Sequence, residues 1–465
     1  MASSAKLINR LIARDAGRAP VLLARKYGRM ATDAFAFFRG SAHLFHADFP
    51  KRFHRFPAVW LNGDLHLENF GSYRGENRLT YFDIGDFDEG GLGPASRDLL
   101  RFLASLHLAM PLLDFSAAQA GKLAKTYIAG YRDALCSGKA LWLERDLTTG
   151  LIGELMVKLD RRVEAGSEGS TWLRSRVTGA AHLDHAGKNS GEKKRGSKKR
   201  NSKKDRGETD GALSDQRRLR LDTGKALPVT AAQRKTVTAA IREVAWQQRK
   251  LGHGRWQILD IAWRVAGLGT LGLPRYIILI RVAPNKAGDQ VLSTEGDLLL
   301  LDLKFQPGSV MAPELKKQPR FASEAERVVA IEKRLQAMNP AFLTALQMEK
   351  RTYTLRELQP EADKLDLNQL KADGRGLDFA ELEEAIGMMG RLTAWAQLRS
   401  AGRQGSVEAD TLIDFGGGSH WVSDLLAAGE AAAARQQANW EASRDWLAAA
   451  ASRLEAEGRA PSLRS

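Results

Sequence analysis

Cysteine is almost missing from this chain: Cys136 is the only one in 465 residues, so no intrachain disulfide can form. A reducing compartment suits such a chain, and a cytoplasmic location is expected. No uninterrupted apolar run approaches the ~20 residues of a membrane helix, and no membrane partner is expected. Tyr276-Ile277-Ile278-Leu279-Ile280 reads as a strand instead. Arg10, Arg14 and Arg18 are not followed by the apolar stretch of a secretory signal. Zinc-ligand spacing is absent among the nine histidines. Also absent are Gly-x-x-x-x-Gly-Lys-Ser/Thr, which argues against a Walker-type site, a Gly-x-Ser-x-Gly elbow, and any fixed-period repeat.

What is present belongs to a soluble globular protein: 43% hydrophobic and 27% charged residues, with length for two or three packed units. The net charge of +15 is unevenly placed. Between Lys188 and Arg206, ten Lys or Arg face two acids, Glu192 and Asp205, so this run alone carries +8. It holds no apolar residue and cannot bury enough surface to offset its ordering entropy. A solvated, disordered insert is the favoured reading. A polyanion-binding arm, weakened by salt, is the alternative.

Helical spacing marks residues 1–50, Leu99 to Leu113 after Gly93-Pro94, Ala117 to Leu135, a helix from Thr230, Ser323 to Met338, Phe379 to Leu398 and Leu425 to Leu454. Strand signals dominate Val59 to Asp88 and Trp256 to Phe305.

The chemistry-bearing stretch is Gly63-Asp64-Leu65-His66-Leu67-Glu68-Asn69, followed by Tyr81-Phe82-Asp83-Ile84-Gly85-Asp86. It sets an Asp and an Asn five positions apart, then an acid at the end of a short apolar run. Kinase-type phosphoryl transfer uses those groups in that order. One Asp accepts the proton of the attacking hydroxyl, the Asn holds magnesium, and the later Asp bridges magnesium to nucleotide phosphates. Asp83, Asp86 and Asp88 crowd one loop, which is costly without a cation, and magnesium suits one or two carboxylates plus phosphate oxygens. A solvated acidic turn is the plainer alternative.

Gly267-Leu268-Gly269-Thr270-Leu271-Gly272 runs into Pro274-Arg275-Tyr276 and a strand. A dinucleotide fingerprint would run into a helix. A hairpin in which Gly267, Gly269 and Gly272 let the backbone approach phosphates fits the order better, and an ordinary turn is the alternative. Lys304 ends the next apolar strand, where kinase-type sites place the lysine that contacts α and β phosphates and pairs with a helical Glu. The helix from Ser323 offers Glu324, Glu326 and Glu332, of which Glu326 is chosen.

These motifs resemble the aminoglycoside and choline kinase branch of the kinase-like superfamily. Gly63 to Asn69, Phe82 to Asp86 and Pro94-Ala95-Ser96-Arg97-Asp98-Leu99 carry the likeness, with Asn62 where that branch usually has His. The resemblance implies Asp64 as catalytic base, Asn69 and Asp83 as metal ligands with Asp86 beside them, and Asp98 as a brace of the catalytic loop. More closely, the chain resembles an uncharacterised bacterial family, domain of unknown function 2252, through Arg29-Met30 to Phe38-Arg39-Gly40, the Gly63 to Asp88 block, the glycine hairpin and the Lys304 strand. Hairpin and lysine follow the catalytic loop instead of preceding it, which circular permutation would explain; a coincidental glycine hairpin in another domain is the alternative.

The expected fold is therefore α+β, kinase-like, two-lobed and circularly permuted. Its units are 1–160 (catalytic-loop half), 161–227 (basic insert), 228–365 (glycine-hairpin lobe) and 366–465 (helices completing the helical lobe). The expected function is ATP- and magnesium-dependent phosphotransfer to a hydroxyl of a small molecule, with nucleotidyl transfer open. The alternative is a non-catalytic nucleotide-, polyanion- or nucleic-acid-binding protein. On the first reading the hairpin and Lys304 face Asp64 and Asp83 across a cleft wide enough for a nucleotide.

Overall fold

The computed structural model describes residues 4–164, 170–179, 216–251, 254–283, 298–315, 317–360, 363–367 and 377–459. The basic run 188–206 lies outside the described residues. The chain begins with four helices, α1 (Ser4–Asp15), α2 (Pro20–Thr32), α3 (Ala34–Gly40) and α4 (Ala42–Ala47). Pro20 opens α2, where its fixed φ suits the first turn and its missing N–H removes no helical bond. Strands β1 (Ala58–Leu61), β2 (Phe70–Arg74), β3 (Thr80–Ile84) and β4 (Gly91–Pro94) form two antiparallel pairs, β1 with β4 and β2 with β3. Gly93-Pro94 therefore ends a strand, and the helix expected after it, α5 (Ser96–Ala109), starts two residues later.

Helices α6 (Ala117–Ser137) and α7 (Gly150–Glu164) follow, α6 opened by a Ser116–Gln119 capping box. The segment read as an insert is structured at its described ends. There β5 (Val177–Thr178) pairs with β6 (Arg218–Leu219), and β7 (Ala226–Leu227) joins the main sheet.

That sheet has β7, β8 (Arg255–Arg264), β9 (Arg275–Ala283), β10 (Leu298–Phe305), β11 (Thr344–Met348) and β12 (Arg351–Glu357), in the order β11-β12-β10-β9-β8-β7 and antiparallel throughout. Ile278, Ile280, Leu301 and Leu303 pack with Val237, Ile241 and Val244 of α8 (Ala231–Lys250). On the opposite face Ile277, Leu279, Leu298 and Leu300 pack with Leu173 and Leu219. Burial on both faces explains why β9 and β10 read as largely apolar runs rather than alternating ones.

Helix α9 (Glu324–Leu335) precedes β11, and beyond β12 the described residues form α10 (Phe379–Arg399), α11 (Ala409–Gly417) and α12 (Val422–Arg459). Small residues let α10 and α6 touch backbone to backbone, since a Cβ on Gly130 would stand 2.2 Å from the Gly387 carbonyl oxygen. The largest core joins β1 to β4, α5 and α6 with α9, α10 and the start of α12. Side chains 250 residues and more apart in sequence thus share one interior. The fold is α+β, a helical body carrying a six-stranded antiparallel sheet. No described helix is long and apolar enough to cross a membrane.

Candidate functional site

Helix α5 is almost wholly buried, yet it presents Asp98, Arg101 and Ser105 at helical spacing. Side chains at i, i+3 and i+7 share a face, and this face braces the loop that starts at Asn62. Asp98 accepts from the backbone N–H of Asn62 at 2.8 Å and of Gly63 at 2.9 Å. Arg101 Nε donates to Asp64 Oδ1 at 2.5 Å. Ser105 Oγ accepts from Leu67 N at 3.1 Å. Gly63 has φ +88°, and any Cβ there would stand 2.2 Å from the Glu89 carbonyl oxygen, so the turn before Asp64 admits only glycine.

The loop is also tied to the acidic cluster. Asn62 Nδ2 donates to the carbonyls of Gly85 and Asp86, at 3.2 and 2.9 Å. Asn69 Nδ2 donates to Asp64 O at 2.7 Å. Asp86 lies beyond the end of β3 with φ 63°, a left-handed backbone that Asp tolerates better than most residues. Lys304, buried in β10, donates to Asp86 Oδ1 at 2.9 Å and pairs with Asp88 as well.

These pairings set the charges. Burial alone would raise Asp86, but Lys304 holds it well below the usual carboxylate range. Asp88 is pushed up by burial and by Asp86. Burial also lifts Asp64 above its ordinary value, against the pull of Arg101.

One cavity of about 60 Å³ gathers Asp64, Asn69, Asp86, Asp88 and the hairpin residues Gly267, Leu268, Gly269 and Thr270. The hairpin connects β8 to β9. The N-terminal helices supply a third wall, with Arg14, Arg18, Lys26, Arg39 and His43. Arg18 reaches across to donate to Leu271 O at 2.6 Å and Gly269 O at 2.9 Å. Asp15 pairs with both Arg18 and Lys26, so these three buried groups leave a surplus positive charge. His43, held down to about 3 by burial, and His66, lowered well below its usual value by burial and by Arg39, are neutral imidazoles.

Four expectations need correction. Asp83 does not line the cavity: its carboxylate accepts from Ile84 N at 2.8 Å and Ala337 N at 3.1 Å and pairs with Arg399 at 3.0 Å. It is a buried brace between β3 and α10, and Asp86 and Asp88 hold the cavity position expected of it. Glu326 is exposed in the first turn of α9 and is not a partner of Lys304, whose charge the two loop acids already balance; Glu332 on that helix pairs with Arg356. The cleft is narrower than a nucleotide, for which about 300–1,000 Å³ is usual; Arg18 and Lys26 line it, whereas Lys304 reaches its acids Asp86 and Asp88 without lining it. Gly272 does not line it either, its carbonyl accepting from Ala19 N at 3.2 Å.

Sequence reasoning missed Arg101, Ser105, Asp88 as Lys304's second partner, and the N-terminal cations. The polar stripe 98, 101, 105 in a largely apolar helix was the available signal for two of them. A roomier hollow of about 940 Å³ lies between α7 and the start of α10 and contains none of the motif residues.

Among the described residues no group of three or more His, Cys, Asp or Glu is arranged to hold a metal ion by itself. Asp86, Asp88 and Asn69 nevertheless fit magnesium, which takes one or two carboxylates and fills its remaining positions with water and phosphate oxygens. The fold and site define an α+β protein whose glycine hairpin closes over a cavity lined by acids and arginines. Residues 18–457 match the model of a family described as an uncharacterized protein conserved in bacteria (DUF2252), and the chain belongs to that family. No curated protein and no solved structure matches it.

Proposed function

We propose that the protein is an ATP- and magnesium-dependent phosphotransferase with a circularly permuted, two-lobed kinase-like arrangement. The observation that carries this reading is the single cavity shared by Asp64, Asn69 and Asp86 with Gly267 and Gly269, two hundred residues further along the chain. The lysine of the next strand, Lys304, is bonded to Asp86 in the same place. Asp64, oriented by Arg101 and lifted by burial, takes the proton of the acceptor hydroxyl. Asp86, Asp88 and Asn69 offer oxygen ligands to magnesium, which supplies charge neutralisation at the phosphates. Lys304 then exchanges its carboxylate partners for phosphate oxygens, and the Arg18 contacts to the hairpin loosen to admit the nucleotide. A small-molecule hydroxyl as acceptor rests on analogy with antibiotic and choline kinases alone.

A thermal-shift screen of ATP and ADP with and without magnesium tests the reading, because a ligand of the folded state raises apparent stability by mass action. Magnesium-dependent stabilisation is expected, and its absence with both nucleotides would overturn the proposal. Asp64→Asn is expected to lower turnover by roughly 10²–10⁴-fold with little change in nucleotide affinity. A non-catalytic nucleotide binder would bind ATP without forming ADP, before and after that substitution.

A further inference from the structure

The phosphotransfer reading leaves Phe38-Arg39-Gly40, at the end of α3, without a role. Arg101, the fully buried side chain that holds Asp64, also donates to Phe38 O at 3.1 Å, and its guanidinium stands 3.9 Å from the centre of the Phe38 ring. The end of α3 is thereby locked to the catalytic loop. On its other side, the Arg39 carbonyl oxygen is 3.6 Å from where a Cβ of Gly269 would stand. Arg39 thus sits between the Asp64 loop and the glycine hairpin, and it lines the cavity with Asp64, Asn69 and Asp86.

Its guanidinium is only partly used. Nη1 pairs with Glu68, the residue before Asn69, while Nε is buried without a partner among the described residues. Glu68 is anchored in turn, its Oε1 accepting from Leu367 N at 3.2 Å. A guanidinium carries five donors in a planar fork, so Arg39 has capacity left for an oxyanion in the cavity. Arg14 pairs with Glu89 only at 3.8 Å, while two other neighbouring cations are more fully committed. Arg18 serves Asp15 and two hairpin carbonyls, and Lys26 is held by Asp15.

We propose that Arg39 is a catalytic residue of this site, binding the phosphoryl group while it is in transfer. The proposal rests on the phosphotransferase reading. In the step, the acceptor oxygen forms a bond to the γ-phosphorus while the bond from that phosphorus to the β,γ-bridging oxygen breaks. The electron pair of the broken bond stays on ADP, and the acceptor proton passes to Asp64. Negative charge spreads over the equatorial oxygens during transfer, where a preorganised arginine stabilises it.

The test needs no knowledge of the acceptor. Full-length protein is titrated with ADP and magnesium, with and without aluminium fluoride, a mimic of the phosphoryl group in flight, and ATP hydrolysis to water is followed in parallel. Wild-type protein is expected to bind ADP more tightly when aluminium fluoride is present. Arg39→Ala and Arg39→Gln should lose that increment and slow hydrolysis by about 10³-fold or more, while ADP–magnesium affinity stays within a few-fold. Arg39→Lys should recover only part, because an ammonium lacks the fork. Retention of the increment by both Arg39→Ala and Arg39→Gln would overturn the role of Arg39 alone. If Arg39→Ala does not fold, Arg39→Gln and Arg39→Lys decide between the same outcomes. Failure of wild-type protein to bind any magnesium nucleotide would remove the phosphotransferase reading and Arg39 with it, a result visible before any variant is made.

Discussion

Lys304→Met probes the charge balance of the two acids, Asp86 and Asp88, that line the cavity. Lys304 Nζ lies 2.9 Å from Asp86 and pairs with Asp88, and its side chain is only 7% exposed. Burial alone would lower the lysine's pKa, yet the two carboxylates hold it above its ordinary value. Methionine keeps the length and the apolar stem and removes the charge, leaving two carboxylates of one loop, Asp88 nearly buried and Asp86 partly exposed, without their cation. Removing one partner of a fully buried ion pair costs about 3–5 kcal/mol, and solvent at the partly exposed Asp86 brings the cost here below that range. The remaining acids answer by taking up a proton, and Asp88, already pushed up by burial and Asp86, takes it first. An acid raised in the folded state has its full stabilisation below the unfolded pKa and loses it as pH rises through the folded one. The variant should therefore suffer the full loss near about pH 8 and much less near about pH 5. Urea denaturation followed by tryptophan fluorescence at both pH values measures this. Magnesium should stabilise the variant more than the wild type, since a cation can replace the missing charge. A loss below ~1 kcal/mol at the higher pH, or one independent of pH, would refute the view that Lys304 neutralises the acid pair.

Gly63→Ala should cost roughly 1–3 kcal/mol in backbone strain, with a larger proportional loss of any nucleotide turnover, because the added Cβ meets the Glu89 carbonyl. Circular dichroism melts separate the two effects. Asp83→Ala should destabilise by about 3–5 kcal/mol, because Arg399 loses its buried partner, and, on the proposed phosphotransferase reading, leave magnesium-dependent nucleotide binding intact. Asp86→Ala should abolish that binding, and the opposite ranking in a magnesium titration would return the metal ligand to Asp83. Glu89 is pushed up to about 7 by burial, against the pull of Arg14, so its stabilisation is present below its ordinary 4.5 and lost as pH rises through 7. Glu89→Gln, which keeps an acceptor for Val310 N, should abolish up to about 3 kcal/mol of that pH-dependent loss between about pH 4.5 and 8. An unchanged slope in the variant's stability profile would show that Glu89 does not titrate there.

Legibility followed local pattern strength. β9 and β10 were readable because both faces are buried, and α8 because Thr230 and Gln233 form a capping box at its start. The hairpin of β11 and β12 escaped notice: its strands mix Thr, Gln and Arg with few apolar residues, and its turn at Glu349-Lys350 has neither Gly nor Pro. α7 fell partly within the polar stretch read as an insert. Loop and acid spacing made Asp64, Asn69 and the Asp83–Asp88 cluster visible as candidates. Which acid of that cluster enters the cavity depends on where β3 ends and on the left-handed turn at Asp86, and residue order does not encode either directly.

By itself the sequence determined which groups are on offer and at what local spacing: a glycine before Asp64, an asparagine five residues later, acids beyond a short strand, a glycine hairpin before an apolar strand ending in lysine. Only the tertiary structure decided which charges remain free for chemistry. Asp83 is satisfied by Arg399, 316 positions away, Asp64 by Arg101, and the Asp86–Asp88 pair by Lys304. Charges act through space over a few ångströms in a medium of low dielectric, so a carboxylate's role is set by whichever cation the fold brings against it.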